Sequence, residues 1–158
     1  MRRKDREVLG LENQLAILDK CDVVRIGLCD GDMPYVVPMN FGYQVVEGDL
    51  YIYMHCAHEG RKLGIISKNN NVCFEADCSV AILEGAEPCD WSAEYESVIG
   101  TGKIHIIQDE ADKAAALAIL MRHHGFEREV VFPQGNLASV AVLEIEVDSL
   151  SAKRHKAF

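Results

Sequence analysis

A chain of 158 residues is long enough for one domain with its own core and short for two. Its 49% hydrophobic and 26% charged residues fit a soluble globular protein, and no apolar run approaches the roughly 18 residues that a membrane span needs. The net charge of −9 argues against nucleic acid as the main partner, because a phosphate backbone is met by a basic stripe.

The N-terminal MRRKDRE carries basic residues with no apolar stretch behind it, so no signal peptide is expected and the cytoplasm is the expected location. Residues 5–20 read as a helix from Val8, Leu11, Leu15 and Leu18, with Gly10 weakening its first half so that the pattern centres on 11–19. Residues 23–29, an Asp30-Gly31-Asp32 turn and residues 34–43 predict a hairpin. Glu47-Gly48-Asp49 then turns the chain into a strand over 50–56, which completes an antiparallel meander of three neighbours.

Residues 61–68 predict a short helix and 72–77 the next strand. Residues 80–91, with Gly85 and Pro88, read as an irregular loop. A long strand follows over 94–107, bent where Gly100 and Gly102 interrupt it. Asp109 is placed to cap an Ala-rich helix that runs to about His124. Residues 130–133 are ambiguous, 139–147 form the last strand, and the basic tail 149–158 has no assigned structure. About six strands joined mostly by hairpins close most economically into a small barrel. With no repeat or linker, residues 1–158 read as a single domain.

Chemistry concentrates in LYIYMHCAHEGRK, residues 50–62. Leu50, Ile52 and Met54 share one strand face, and Tyr51, Tyr53 and His55 share the other. This second row of planar, hydrogen-bonding groups runs toward Gly60, Arg61 and Lys62 at an expected helix start, where unpaired N–H groups and the dipole favour an anion. A flat ring system carrying a phosphate, such as FMN, fits both halves. The competing reading of Arg61 and Lys62 is a solvated basic face.

Two further segments bear on that ligand. In PYVVPMNF, residues 34–41, two prolines imply a partly unpaired ladder, which would free the backbone of Met39 and Asn40 for a ligand; an edge strand with no ligand explains them as well. In YESVIGTGK, residues 95–103, Ser97 is placed to donate to a phosphate or ring oxygen, or else packs and bonds to its own backbone. His105, His123, His124 and His155 have no partner pattern. The six cysteines lack a C-x-x-C pair, as expected of reduced, mostly buried thiols. Zinc through His55, Cys56 and His58 is a minor option, because on a strand His55 and His58 would point to opposite faces and joint ligation is awkward; no metal is expected. No G-x-S-x-G, H-E-x-x-H or P-loop motif is present.

In this order, VVRIGLCDGDMPYVVPMNFGY, LYIYMHCAHEGRKLGII, VCFEAD and YESVIGTGKIHII resemble the FMN-binding split-barrel proteins related to pyridoxamine 5′-phosphate oxidase, in particular the 5-nitroimidazole-resistance (Nim-type) branch. The resemblance covers about residues 1–120. It implies a mainly β fold with flanking helices, a six-stranded antiparallel split β-barrel that forms a homodimer with two FMN sites at the subunit interface. It places Gly60, Arg61 and Lys62 at the FMN phosphate and Pro38, Met39, Asn40 and Phe41 along the isoalloxazine ring. Tyr53 and His55 match ring-facing positions, His55 nearest the flavin chemistry, and Glu96, Ser97 and Val98 match the strand that completes the pocket. Pyridoxamine-phosphate oxidases grip their substrate's phosphate with C-terminal basic residues, to which Lys153, Arg154 and His155 do not align. Nim-type relatives tend to carry Gly-Lys there, where this chain reads Ser151-Ala152-Lys153-Arg154.

The leading expectation is an FMN-dependent oxidoreductase that reduces a small planar acceptor such as a nitroaromatic, or oxidises a pyridoxamine-phosphate-like substrate, with His55 as proton donor. The alternatives are a non-catalytic flavin or haem carrier, in which His55 offers a ligand, and a cofactor-free dimer.

Overall fold

The computed structural model describes residues 2–133 and 135–156; Met1, Gln134, Ala157 and Phe158, which belong to the expected 1–158 domain and its basic tail, lie outside the described residues. In chain order the elements are β1 (Glu7–Val8), α1 (Leu11–Leu18), β2 (Val23–Asp30), β3 (Met33–Asn40), β4 (Gly42–Val46), β5 (Asp49–Cys56), α2 (Arg61–Ile66), β6 (Asn71–Leu83), β7 (Ser92–Ile107), α3 (Glu110–His123) and β8 (Ala141–His155). The strands form one eight-stranded antiparallel sheet in the order β3-β2-β6-β7-β8-β5-β4, with β1 added to β8. β3 and β4 stand at its two ends. This is a mainly β, split-barrel-like sheet that is not closed, with eight strands in place of the six expected.

Period-two alternation decides which side chains fill it. Val24, Ile26 and Leu28 of β2, Ile52 and Met54 of β5, Phe74 of β6 and Leu143 and Ile145 of β8 turn inward and lose nearly all contact with solvent. α1 adds Ile17 and Leu18, both fully buried, to the same core. On the outside, α3 lies over β4, β5 and β8, where Ala116 and Leu117 pack on Tyr53 and Val142. Asp109 caps α3 by accepting hydrogen bonds from the N–H groups of Ala111 (2.8 Å) and Asp112 (3.1 Å).

Several expectations need correction. The strand expected over 34–43 breaks at Phe41, which is fully buried, and the chain crosses there from one end of the sheet to the other. β5 therefore pairs with β4 and β8, not with β3, and the three-strand meander does not form. The helix expected from residue 5 starts at Leu11, because Glu7 and Val8 pair with Lys153 and Ala152. Residues 80–91 are not all loop: beyond a bulge at Ser79 (φ 57°), Ala81–Leu83 continue β6 against β7. The tail is strand too, since β8 runs to His155 after Asp148 bulges out between Val147 and Ser149. The glycines that interrupt β7 make room for internal packing: a side chain at Gly100 would collide with Phe74 and one at Gly102 with Glu146.

Gly42 fixes the seat of α3. A Cβ there would stand 2.6 Å from Leu120 Cα, backbone that cannot yield without moving the helix. Gly42→Ala should destabilise the protein by about 1–3 kcal/mol, seen as a lower urea midpoint; an unchanged midpoint would show that α3 shifts at no cost.

Candidate functional site

The turn after β5 delivers the candidate anion site. Gly60 has φ 149° and ψ 157°, a conformation side chains of L-residues rarely adopt, and the space where its Cβ would be is open. α2 begins at Arg61 without a side-chain cap. The Arg61 guanidinium donates to Asp30 Oδ2 through Nε (3.1 Å) and Nη2 (3.0 Å), and its Cζ lies 4.7 Å from the centre of the Tyr35 ring. Arg61 is thus aimed across the end of the β2–β3 hairpin by two weak restraints. Its ion pair is half exposed and contributes at most about 1 kcal/mol. Lys62 stands near Cys56: burial pushes that thiol up, and the Lys62 charge opposes the shift.

The edge-strand reading of residues 34–41 fits, since β3 is an end strand of the sheet. Pro34 and Pro38 share one parity on β3, as expected where their missing N–H groups face the open side. Pro38 and Asn40 are exposed, and the Asn40 amide donates to the Asp22 carbonyl at 3.0 Å. Met39 and Phe41 differ: both side chains are in the core, Phe41 with its ring 4.5 Å from that of His123. Neither side chain lies along an open ring site.

The row on β5 divides in the same way. His55 is exposed on the outer face, opposite Val142 of β8. Tyr53 is not part of an open surface, because α3 covers it and leaves only 5% exposed. Its hydroxyl accepts a hydrogen bond from Gln44 Nε2 at 2.6 Å, and burial foremost pushes its pKa up to about 12. The turn below His55 is tied down by His58, whose Nε2 donates to the Ala138 carbonyl at 2.6 Å.

On β7, Val98 is core and Glu96 is a buried acid rather than a pocket wall. Glu96 is 1% exposed and is held by Lys20 at 2.5 Å and by Arg154. Burial alone would raise its carboxyl, but the hydrogen bonds and charges of Lys20 and Arg154 hold it below its ordinary value of 4.5. Ser97 is half-buried on the outer face, in a shallow hollow beside Ile99 and Lys153. Three strand spacings, about 14 Å, separate β3 from β7 in the sheet order, so one chain does not bring Asn40 and Ser97 to one small ligand.

A family model described as pyridoxamine 5′-phosphate oxidase matches residues 12–154. The chain belongs to this family. A structure described as that of a proposed 5-nitroimidazole antibiotic resistance protein from Bacteroides thetaiotaomicron VPI-5482 is 30% identical, with TM-score 0.80, over 94% of this chain and 86% of that one. The flavocytochrome Anf3 from Azotobacter vinelandii shares the fold at 22% identity and TM-score 0.80, over 99% of this chain and 72% of that one. An FAD and haem binding protein from Mycobacterium smegmatis shares it at 18% identity and TM-score 0.83, over 97% and 75% respectively. Comparison with curated proteins gave no match.

Sequence reasoning missed Asp30, Tyr35, Lys20 and Arg154 as members of these charged clusters. The Asp30-Gly31-Asp32 turn was legible as a turn, but nothing local ties it to Arg61, 31 positions on. Among the described residues no three His, Cys, Asp or Glu side chains stand close enough to hold a metal ion, and no helix is long and apolar enough to cross a membrane.

Because the folded-state pKa of Glu96 is depressed, its contribution to stability is full above about pH 4.5 and is lost as pH falls through the lower folded value. Glu96→Gln should remove that acid-dependent component, flattening the fall in urea stability between about pH 5 and 3. Parallel pH profiles for the two proteins would remove Glu96 as the source.

Proposed function

We propose that this chain binds FMN at the start of α2 and uses it as an oxidoreductase of small planar acceptors. The observation that carries the reading is the Arg61 fork: a guanidinium beside Lys62 at an uncapped helix start, held by one half-exposed carboxylate. A phosphate exchanges readily for Asp30, since a weak exposed pair is given up for bidentate, charge-assisted bonds. The donor set therefore fits a phosphate-bearing group, and the open space at Gly60 leaves room for it. The family and its neighbours, an FAD and haem binding protein and a flavocytochrome among them, support a flavin here.

Bound flavin supplies electron and hydride transfer at its ring. Within the chain, Arg61 and Lys62 hold the phosphate, and Asn40, Pro38 and the Met39 backbone on the β3 edge address the ring. His55, exposed and two residues beyond the covered Tyr53, is the side chain of this row free to donate a proton to a reduced acceptor. The acceptor is a nitroaromatic by likeness to the resistance protein; the second reading is oxidation of a pyridoxamine-phosphate-like substrate, whose electrons pass to the flavin.

Completing the pocket takes a second copy of the chain, which acts as one domain in the cytoplasm. The outer face of β3-β2-β6-β7-β8 offers a flat surface: Val36, Gly27, Cys73, Thr101 and Ser149 align across five strands, and Val36 and Ile99 are 62% and 49% exposed. Packed against its twin, this face lets Ser97 of one subunit meet the ring edge held by the other.

Titrating the protein with FMN and following flavin fluorescence tests the reading. Each charge-assisted bond is worth about 1.5–3 kcal/mol, and Asp30 competes, so Arg61→Ala with Lys62→Ala should weaken binding at least tenfold on the order of magnitude of one such bond. Unchanged affinity counts against the phosphate assignment, and a haem Soret band in place of flavin bands would replace the cofactor.

His55→Ala should bind FMN normally and slow turnover of a nitroaromatic with reduced nicotinamide. Full turnover would take His55 out of the reaction.

A further inference from the structure

The outer face of the sheet under α3 carries a polar row that the flavin reading does not use. In the strand register Tyr53 of β5 stands opposite Glu144 of β8, and Glu144 opposite His105 of β7. Gln44 donates to the Tyr53 hydroxyl at 2.6 Å, and that hydroxyl bonds in turn to Glu144; burial foremost raises the tyrosine, and Glu144 adds to it. α3 roofs the row through Asp112, Ala115, Ala116 and Ile119, the single helix face that spacings of three and four residues produce. Two of these are alanines, and their methyl groups leave the space above Glu144 unfilled. A cavity of ≈ 550 Å³ remains, the size of a small-molecule site.

The lining has one sign of charge. Among the described residues no lysine or arginine lines the cavity, while Glu144 comes to it from the sheet and Asp112 from the helix. A third carboxylate, Asp109, is committed to capping α3, and the Gln108 amide is turned to the Ile106 carbonyl at 3.1 Å. Glu144 is half-buried, and among the described residues its hydrogen-bond partner is the neutral Tyr53 hydroxyl. Such a carboxylate keeps lone pairs for a further donor, and a cation suits it best. Ile107 and Ile119, both half-buried, give the same cavity an apolar wall, and His105 stands exposed at its rim. At long range the net charge of −9 draws cations toward the chain.

We propose that this cavity binds a small amphipathic amine, its ammonium group between Glu144 and Asp112 and its apolar part on Ile107 and Ile119. An ammonium has three donors, enough for both carboxylates. Neither Arg61, Lys62, Asn40 nor His55 lines the cavity, so the site stands or falls independently of the flavin reading. Phenethylamine, titrated by calorimetry into the full-length protein, is the probe; phenethyl alcohol and phenylacetate are the neutral and anionic controls. The amine should bind, and neither control should.

Glu144→Gln should weaken amine binding by about tenfold, the loss expected of one charge-assisted contact. Ala115→Leu keeps both carboxylates but fills the space under α3, so it should weaken binding by a comparable factor. Ala115 is exposed on its helix and leucine is a good helix former, so this variant reads the site even if Glu144→Gln unfolds. Absence of amine binding, equal binding of either control, or unchanged affinity in a folded variant would overturn the proposal. Unchanged affinity in Ala115→Leu would assign the binding to the acidic surface at large instead of the cavity.

Discussion

A sheet whose end strands do not pair must hide or use two edges, and this constraint organises the molecule. The chain crosses from β3 to β4 through the single buried residue Phe41, so consecutive strands end up at opposite ends of an eight-stranded order. The β4 side is covered by α3, seated through Gly42 and Leu120. The β3 side is left as an edge and carries the prolines that keep it from pairing with a stray strand. The protected edge is structural; the unprotected one lies next to the hairpin end where Arg61 meets Asp30.

Much of this was legible in the sequence, for a definite reason. Alternation on β5 gave the correct inner face, Leu50, Ile52 and Met54, because burial on one side of a strand imposes period two. It did not say what covers the other face. Tyr53 and His55 have the same parity, yet one lies under α3 and the other in solvent. That difference is set by a helix some sixty positions away, whose own sequence is too Ala-rich to show a sharp apolar stripe.

The elements that escaped detection share a different cause. β8 beyond Asp148 presents Ser149, Ser151 and Lys153 outward and Leu150 and Ala152 inward, which is alternation of small and polar residues with little hydrophobic contrast. The end of β6 has Val80 and Ile82 both exposed, so no face is buried and no period arises. The strand-pairing partners supplied what local pattern lacked. The crossing at Phe41 was hidden differently: Asn40 and Gly42, both poor strand formers, flank the break, but Tyr35, Val36, Val37, Phe41 and Tyr43 around them read as one continuous strand.

Electrostatics follows from this topology. An acidic surface of net charge −9 repels anionic ligands at long range, so any anion site must act by short-range, well-aimed contacts. The fold builds two kinds. Lys20 and Arg154 are spent on Glu96, a buried carboxylate whose charge is retained because both cations reach it. Arg61 is held loosely, over a ring and against a half-exposed Asp30, and so is available for exchange. Arg6 lies between the two, donating to the Tyr95 hydroxyl at 3.4 Å with its Nε 4.0 Å from Asp5. Degree of engagement, more than the number of cations, is therefore what separates the buried Glu96 cluster from the loosely held Arg61.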